Sequence, residues 1–272
     1  MQLPTEILFT MGMAALSMCW PFLVGAAEPT PVKQLPLPGE TFLVKESPAF
    51  IIWPAERRQE NQPWVWYAPT LPGHPDQHEK WMHEQFLQAG IAVAGIDVGE
   101  SCGNAAGRNR FQDFYDELVT RRHFAAKPVL LGRSRGGLMM LSWASEHPDL
   151  VAGMAGIYPV FDLRSYPGLE TAAVAYGLTA EVLADRLNEH NPIARVATVA
   201  KARVPVFLIH GDMDAVVPLQ DNSAALLHHY AEADAEDCVQ LIIAKGQGHN
   251  YWEGFFRSQA LVEFVAKHAH AP

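Results

Sequence analysis

Pro128-Val129-Leu130-Leu131-Gly132-Arg133-Ser134-Arg135-Gly136-Gly137-Leu138-Met139-Met140-Leu141 is the stretch that decides the fold of this chain. Its first residues form a short apolar run of the kind that makes a buried strand, and Leu138 onward reads as the start of a helix. Between the two lies Gly-x-Ser-x-Gly. A serine on so sharp a strand-to-helix turn sits on strained backbone, and side chains two positions to either side would collide. Gly132 and Gly136 remove those collisions, and Gly137 lets the helix pack close to the sheet. The turn lifts the Ser134 hydroxyl to the edge of the sheet. There the helix N-terminus places backbone N–H groups and a partial positive charge beside it.

A serine alone is a poor nucleophile, so the chain must supply a base and a group to orient it. After the apolar run from Val204 to Ile209 comes His210-Gly211-Asp212-Met213-Asp214-Ala215-Val216-Val217-Pro218, a strand end leading into an acidic loop. A further strand, Val239 to Ile243, ends in Ala244-Lys245-Gly246-Gln247-Gly248-His249. An acid and a histidine thus follow the serine, each just past a strand end. Asp212 and Asp214 both compete for the orienting role; Asp212, beside the strand end, also suits a local turn. His210 ends a buried strand and reads as structural, whereas His249 lies in a loop between strand and helix.

These three pieces in this order resemble an alpha/beta-hydrolase, nearest the serine esterase and prolyl-oligopeptidase-like branch. The resemblance runs from about Trp64 to Ala266. It implies Ser134 as nucleophile, His249 as base and Asp214 as acid. It also implies an oxyanion hole built from the Arg135 N–H and a donor on the loop Ala68-Pro69-Thr70-Leu71-Pro72-Gly73-His74. The family usually carries His-Gly where this chain has Ala68-Pro69. Proline has no N–H, so Pro69 and Pro72 are excluded and Thr70 or Leu71 is the expected second donor.

Around this centre the pattern alternates. Thr41–Val44 and Phe50–Trp53 read as a hairpin of edge strands, followed by strands at Trp64–Tyr67, Ile91–Ile96 and Val151–Ile157. Helices are expected at Gln77–Gln88, at Phe111–Arg122, after Ser134, and from about Trp252. Strands alternating with helices make an α/β fold, a mostly parallel sheet covered on both faces, with catalytic groups at the carboxyl ends of its strands. Residues 158–201 form the longest gap between strands and are expected to make a small cap insertion, with a helix at Thr179–Asn188. Tyr158, Phe161, Tyr166 and Tyr176 either line a pocket there or pack the insertion on the core.

The chain has 272 residues, 49% of them hydrophobic, enough for one large domain at 41–272. A net charge of −10 with no basic run argues against nucleic-acid binding. Residues 7–24 are almost wholly apolar and run into Gly25-Ala26-Ala27, which reads as a signal peptide over residues 1–27 and an exported, periplasmic or extracellular protein. No Lys or Arg precedes the apolar run and Glu6 does, so an uncleaved anchor stays open. Stable membrane association is not expected once the leader is cleaved. Cys19 follows a poor lipobox. Residues 28–40, with Pro29, Pro31, Pro36 and Pro38, read as an extended linker. Cys102 and Cys238 either pair or stay free.

Arg133 and Arg135 flank the nucleophile. They either bind an anionic group of the substrate or pair with protein acids such as Asp97 or Glu100. Tyr158 and Trp252 are candidate substrate contacts alongside Arg133. His74, His78, His83, Asp76 and Glu79 match no usual metal-ligand spacing, and neither metal nor cofactor is expected. The foremost functional expectation is a hydrolase of small or carbohydrate-linked carboxylic esters. A prolyl-oligopeptidase-like peptidase and a non-catalytic binding member of the fold are the alternatives.

Overall fold

The computed structural model describes residues 33–58 and 60–270. Eight strands form one sheet: β1 (Glu40–Val44), β2 (Ser47–Ile52), β3 (Trp64–Ala68), β4 (Ala92–Ile96), β5 (Val129–Arg133), β6 (Gly153–Ile157), β7 (Val206–Gly211) and β8 (Val239–Ala244). Their order is β1-β2-β4-β3-β5-β6-β7-β8. β1 and β2 form the expected hairpin, and β2 also runs antiparallel to β4. Every pairing from β4 through β8 is parallel.

Strand periodicity explains the two apolar layers. Trp64, Trp66 and Ala68 point to one face of the sheet, Val65 and Tyr67 to the other. On the first face Trp66 lies 4.8 Å from Phe111 and 4.9 Å from Trp143, ring centre to ring centre. These rings come from helices α2 (Ala105–Asp116) and α3 (Gly136–Ala144). The second face holds Tyr67, Phe86 and Val265, covered by α1 (Lys80–Gln88) and by the helix at Gln259–Ala269. Strands β3 to β7 are buried at every position, as parallel strands covered on both sides must be.

Several helices begin or end elsewhere than the periodicity suggests. α2 starts at Ala105, because the Asn104 side chain caps it by accepting the Gly107 N–H at 2.8 Å. It gives way to a π-helical turn over Glu117–Arg121. α1 starts at Lys80 and not at Gln77; just before it, Asp76 and Glu79 are turned toward Arg133. The insertion at 158–201 is mostly helical. Leu169–Tyr176 (α4) has no clear apolar stripe, and the segment at Thr179–Asn188 divides into Ala180–Asp185 (α5) and Leu187–His190 (α6). It packs on α3 through Leu163, Ala172, Ala173 and Leu183 against Leu138 and Cys102.

Of the proline-rich stretch, the part from Lys33 onward is packed: Leu35 and Leu37 sit on the core face that holds Tyr67. The leader read over residues 1–27, with Cys19, and residues 28–32 lie outside the described residues. Cys102 and Cys238 are free thiols.

Candidate active site

Ser134 directly follows β5 with φ of +50°, in the left-handed region that costs a non-glycine residue roughly 1–2 kcal/mol. The surrounding backbone holds it there. Its N–H donates to the Ile157 carbonyl at 3.0 Å, and its carbonyl accepts the N–H of Gly137 at 3.0 Å and of Val160 at 2.8 Å. α3 comes so close to the end of β3 that a Cβ on Gly136 would lie 2.7 Å from the Pro69 nitrogen. A Cβ on Gly137 would lie 2.5 Å from the Val160 carbonyl oxygen. Any side chain at either position would force the helix off the sheet.

Three loops converge on this turn. His249, in the loop after β8, sets its Nε2 3.0 Å from Ser134 Oγ. Its Nδ1 lies 2.8 Å from Asp214 Oδ2, in the loop after β7. Asp214 Oδ1 accepts the N–H groups of Val216 at 3.0 Å and Val217 at 2.8 Å. Burial alone would raise the Asp214 carboxyl. Hydrogen bonds from His210, His249 and the Val217 N–H outweigh it and hold the group well below the usual carboxylate range. His210 is itself fully buried, with Nε2 3.4 Å from Asp214 Oδ2 and 2.9 Å from the Val217 carbonyl, and Nδ1 2.8 Å from Ser223 Oγ. Asp212 faces elsewhere: it accepts the Gly246 N–H at 2.6 Å and meets Lys245 at 3.3 Å. Of the two aspartates, Asp214 is the one that reaches His249.

Ser134 opens into a cavity of about 160 Å³ lined by Pro69, His74, Arg133, Arg135, Tyr158, His249, Asn250 and Tyr251. The Arg135 N–H, at the start of α3, donates to none of the described residues. Thr70 and Leu71, expected to supply the second donor, do not line this cavity. The Thr70 hydroxyl donates to the Tyr67 carbonyl at 3.1 Å, and both residues' carbonyls accept the Lys33 ammonium. The loop instead turns back, with the His74 N–H on the Leu71 carbonyl at 2.8 Å, and presents Pro69 and His74. Burial, and then Arg133, pull the His74 imidazole below its ordinary value.

Arg133 reaches the cavity wall, but its charge is already balanced. It contacts Asp76 at 3.0 Å and Glu79 at 2.5 Å, and Tyr67 donates to the same Glu79 oxygen at 2.7 Å. Of the two roles expected for Arg133, the structure shows the pairing with protein acids, made with Asp76 and Glu79 and not with Asp97 or Glu100. Arg135 pairs with Glu100. Tyr158 lines the cavity, its ring 4.2 Å from that of His249. Trp252 does not line it; it folds over Phe255 at 5.3 Å and is 42% exposed. Tyr251, one residue earlier, does line the cavity and stacks on His78 at 4.1 Å. His83 is fully buried, its imidazole pulled down to about 3 by desolvation. No sequence pattern singles out Tyr251 or Asn250; their nearness to His249 is the one available signal.

A second cavity of about 470 Å³ adjoins the first at Arg135. Leu138, Met139, Tyr166, Pro167, Val174 and Ala175 make it mostly apolar. Its roof is the insertion, Tyr166 from the loop before α4 and Val174 from α4 itself. Phe161 is core, and the Tyr176 hydroxyl donates to the carbonyls of Cys102 at 3.0 Å and His190 at 3.1 Å.

The model of the prolyl oligopeptidase family matches residues 88–270. No curated protein matches the sequence. Among solved structures the chain is similar to Porphyromonas gingivalis dipeptidyl peptidase 4, at 16% identity and a TM-score of 0.66 over 85% of this chain and 35% of that one. It is similar to a Mycobacterium tuberculosis puromycin-hydrolyzing peptidase, at 19% identity and a TM-score of 0.65 over 82% of this chain and 38% of that one. It is also similar to the esterase domain of a Rhodothermus marinus protein, at 18% identity and a TM-score of 0.60 over 85% of this chain and 98% of that one. The chain therefore spans little more than a third of the peptidases it resembles and nearly all of the esterase domain. At these identities the likeness speaks for the fold, an alpha/beta-hydrolase.

Proposed function

The chain belongs to the prolyl oligopeptidase family of hydrolases, and from that premise we propose that it cleaves carboxylic esters through an acyl-enzyme on Ser134. The observation that carries the reading is the hydrogen-bonded chain from Ser134 Oγ to His249 at 3.0 Å and on to the buried Asp214 at 2.8 Å. In this reading His249 Nε2 accepts the Ser134 proton as Oγ attacks the ester carbonyl. Asp214 fixes the imidazole tautomer and stabilises the cation that forms. The Arg135 N–H faces the oxyanion. Collapse of the tetrahedral adduct expels the alcohol, which takes its proton from His249. Water, deprotonated by His249, then attacks the acyl-enzyme and releases the acid.

One feature of the site narrows the ester reading. The apolar cavity beside Arg135 suits the alkyl or aryl group of a small ester better than a carbohydrate. Family membership keeps a peptidase as the second reading. Turnover of short-chain aryl esters by the wild type, absent in Ser134→Ala, with none of aminoacyl or prolyl amides, supports the first reading; the converse selectivity supports the second. Export is part of the same proposal, tested by N-terminal sequencing of the mature protein.

A further inference from the structure

Lys33 is buried, only 7% exposed, and its ammonium serves two carbonyls of one loop. It donates to Leu71 at 2.6 Å and to Thr70 at 3.2 Å. The chain that delivers it is seated firmly. Leu35 and Leu37 pack on the core face that holds Phe50 and Tyr67. Gly39 passes so close to β2 that a Cβ would lie 2.8 Å from the Ile51 carbonyl oxygen.

The loop it grips has few bonds of its own. Pro69 and Pro72 cannot donate. Among the described residues, what it makes within itself and to the end of β3 is the Thr70 hydroxyl on the Tyr67 carbonyl, the His74 N–H on the Leu71 carbonyl and the His74 Nδ1 contact with the Gly73 carbonyl at 2.8 Å. Leu71 thus accepts both the turn that returns His74 to the cavity and the ammonium of Lys33. Pro69 and His74, at the two ends of the gripped segment, are walls of the Ser134 cavity. Burial lowers the ammonium to about 8 while Asp97 opposes the shift, so at neutral pH it carries its charge and makes charge-assisted bonds.

We propose that Lys33 is a positioning residue, a clamp that fixes the loop 69–74 at the end of β3 and thereby the wall of the cavity around Ser134. The proposal rests on the reading of Ser134 as nucleophile. It places a requirement for turnover outside residues 88–270, the stretch that matches the family model.

The test compares Lys33→Met and Lys33→Arg with the wild type as full chains. It measures kcat and KM on an aryl ester, active-site concentration by fluorophosphonate titration, and thermal melting. Lys33→Met is expected to lose about tenfold in kcat, with KM and melting temperature nearly unchanged, because misplacing a cavity wall costs rate before it costs binding. Lys33→Arg, which keeps a charged donor, should recover most of the rate. Lys33→Gln replaces Lys33→Met if the latter does not fold. A folded variant with wild-type kcat overturns the clamp, as does a loss of rate that merely follows a loss of melting temperature. Wild type that takes no label overturns the hydrolase reading and the clamp with it; wild type that labels beside a fully active Lys33→Met overturns the clamp alone.

Discussion

Asp214 gathers four interactions at the site: Oδ1 takes two backbone N–H groups, and Oδ2 faces the rings of both His249 and His210. Asp214→Asn keeps the shape but presents the wrong hydrogen-bonding partner to His249 Nδ1. It should lower kcat by about 10⁴-fold, measured under saturating ester. The same carboxyl is linked to acid stability. Its pKa in the fold lies below the ordinary value, so its contribution is complete above about pH 4 and lost as pH falls toward the folded value. Urea unfolding between pH 5 and pH 2 should show wild-type stability falling more steeply than that of Asp214→Asn. At this scale the sequence is informative in part. Ser134 and His249 are marked by their motifs, but Asp212 and Asp214 are two residues apart on one loop. Only the turn made by Val216 and Val217 decides which of them is aimed inward.

Among the elements, the elbow between β5 and α3 depends on the closeness of α3 to β3. Gly136→Ala sets a methyl group against the Ala68 carbonyl and the Pro69 nitrogen, backbone atoms that cannot step aside. The expected cost is about 1–3 kcal/mol, read from urea denaturation, together with a loss of ester turnover as Ser134 shifts. The strands were legible because each is an apolar run closed by a turn: Val129–Leu131, Ala92–Ile96 and Val206–Ile209. Helices were less so. α2 begins with Ala-Ala-Gly, which carries no amphipathic signal, and is defined by a single Asn104 side chain. α4 is nearly all apolar yet leaves Val174 80% exposed, so periodicity has nothing to register. The second oxyanion donor is hard to read from the sequence for a related reason. Which atoms of loop 69–74 face the serine depends on Lys33, 36 residues before the loop's start at Pro69, a contact that no local pattern contains.

For the molecule as a whole, the charge is −10 and the arginines nearest the nucleophile are neutralised: Arg133 by Asp76 and Glu79, Arg135 by Glu100. A field of that sign favours cationic ligands and is weakened by salt. Of two isosteric esters, the one bearing an ammonium group should show the higher kcat/KM at low ionic strength, and the gap to its carboxylate counterpart should narrow as salt is raised. Architecture was the most legible level, since alternating strands and helices admit few arrangements once the Ser134 turn is placed. Substrate recognition was the least, because the apolar cavity joins α3 to a helical insertion across distant sequence. The central claim is that Ser134 is an activated nucleophile. Its most direct test is fluorophosphonate labelling of the purified protein beside Ser134→Ala, with intact mass to count adducts. One adduct on the wild type and none on the variant is the predicted result. A folded wild type that takes no label, or a variant that labels equally, would contradict the claim.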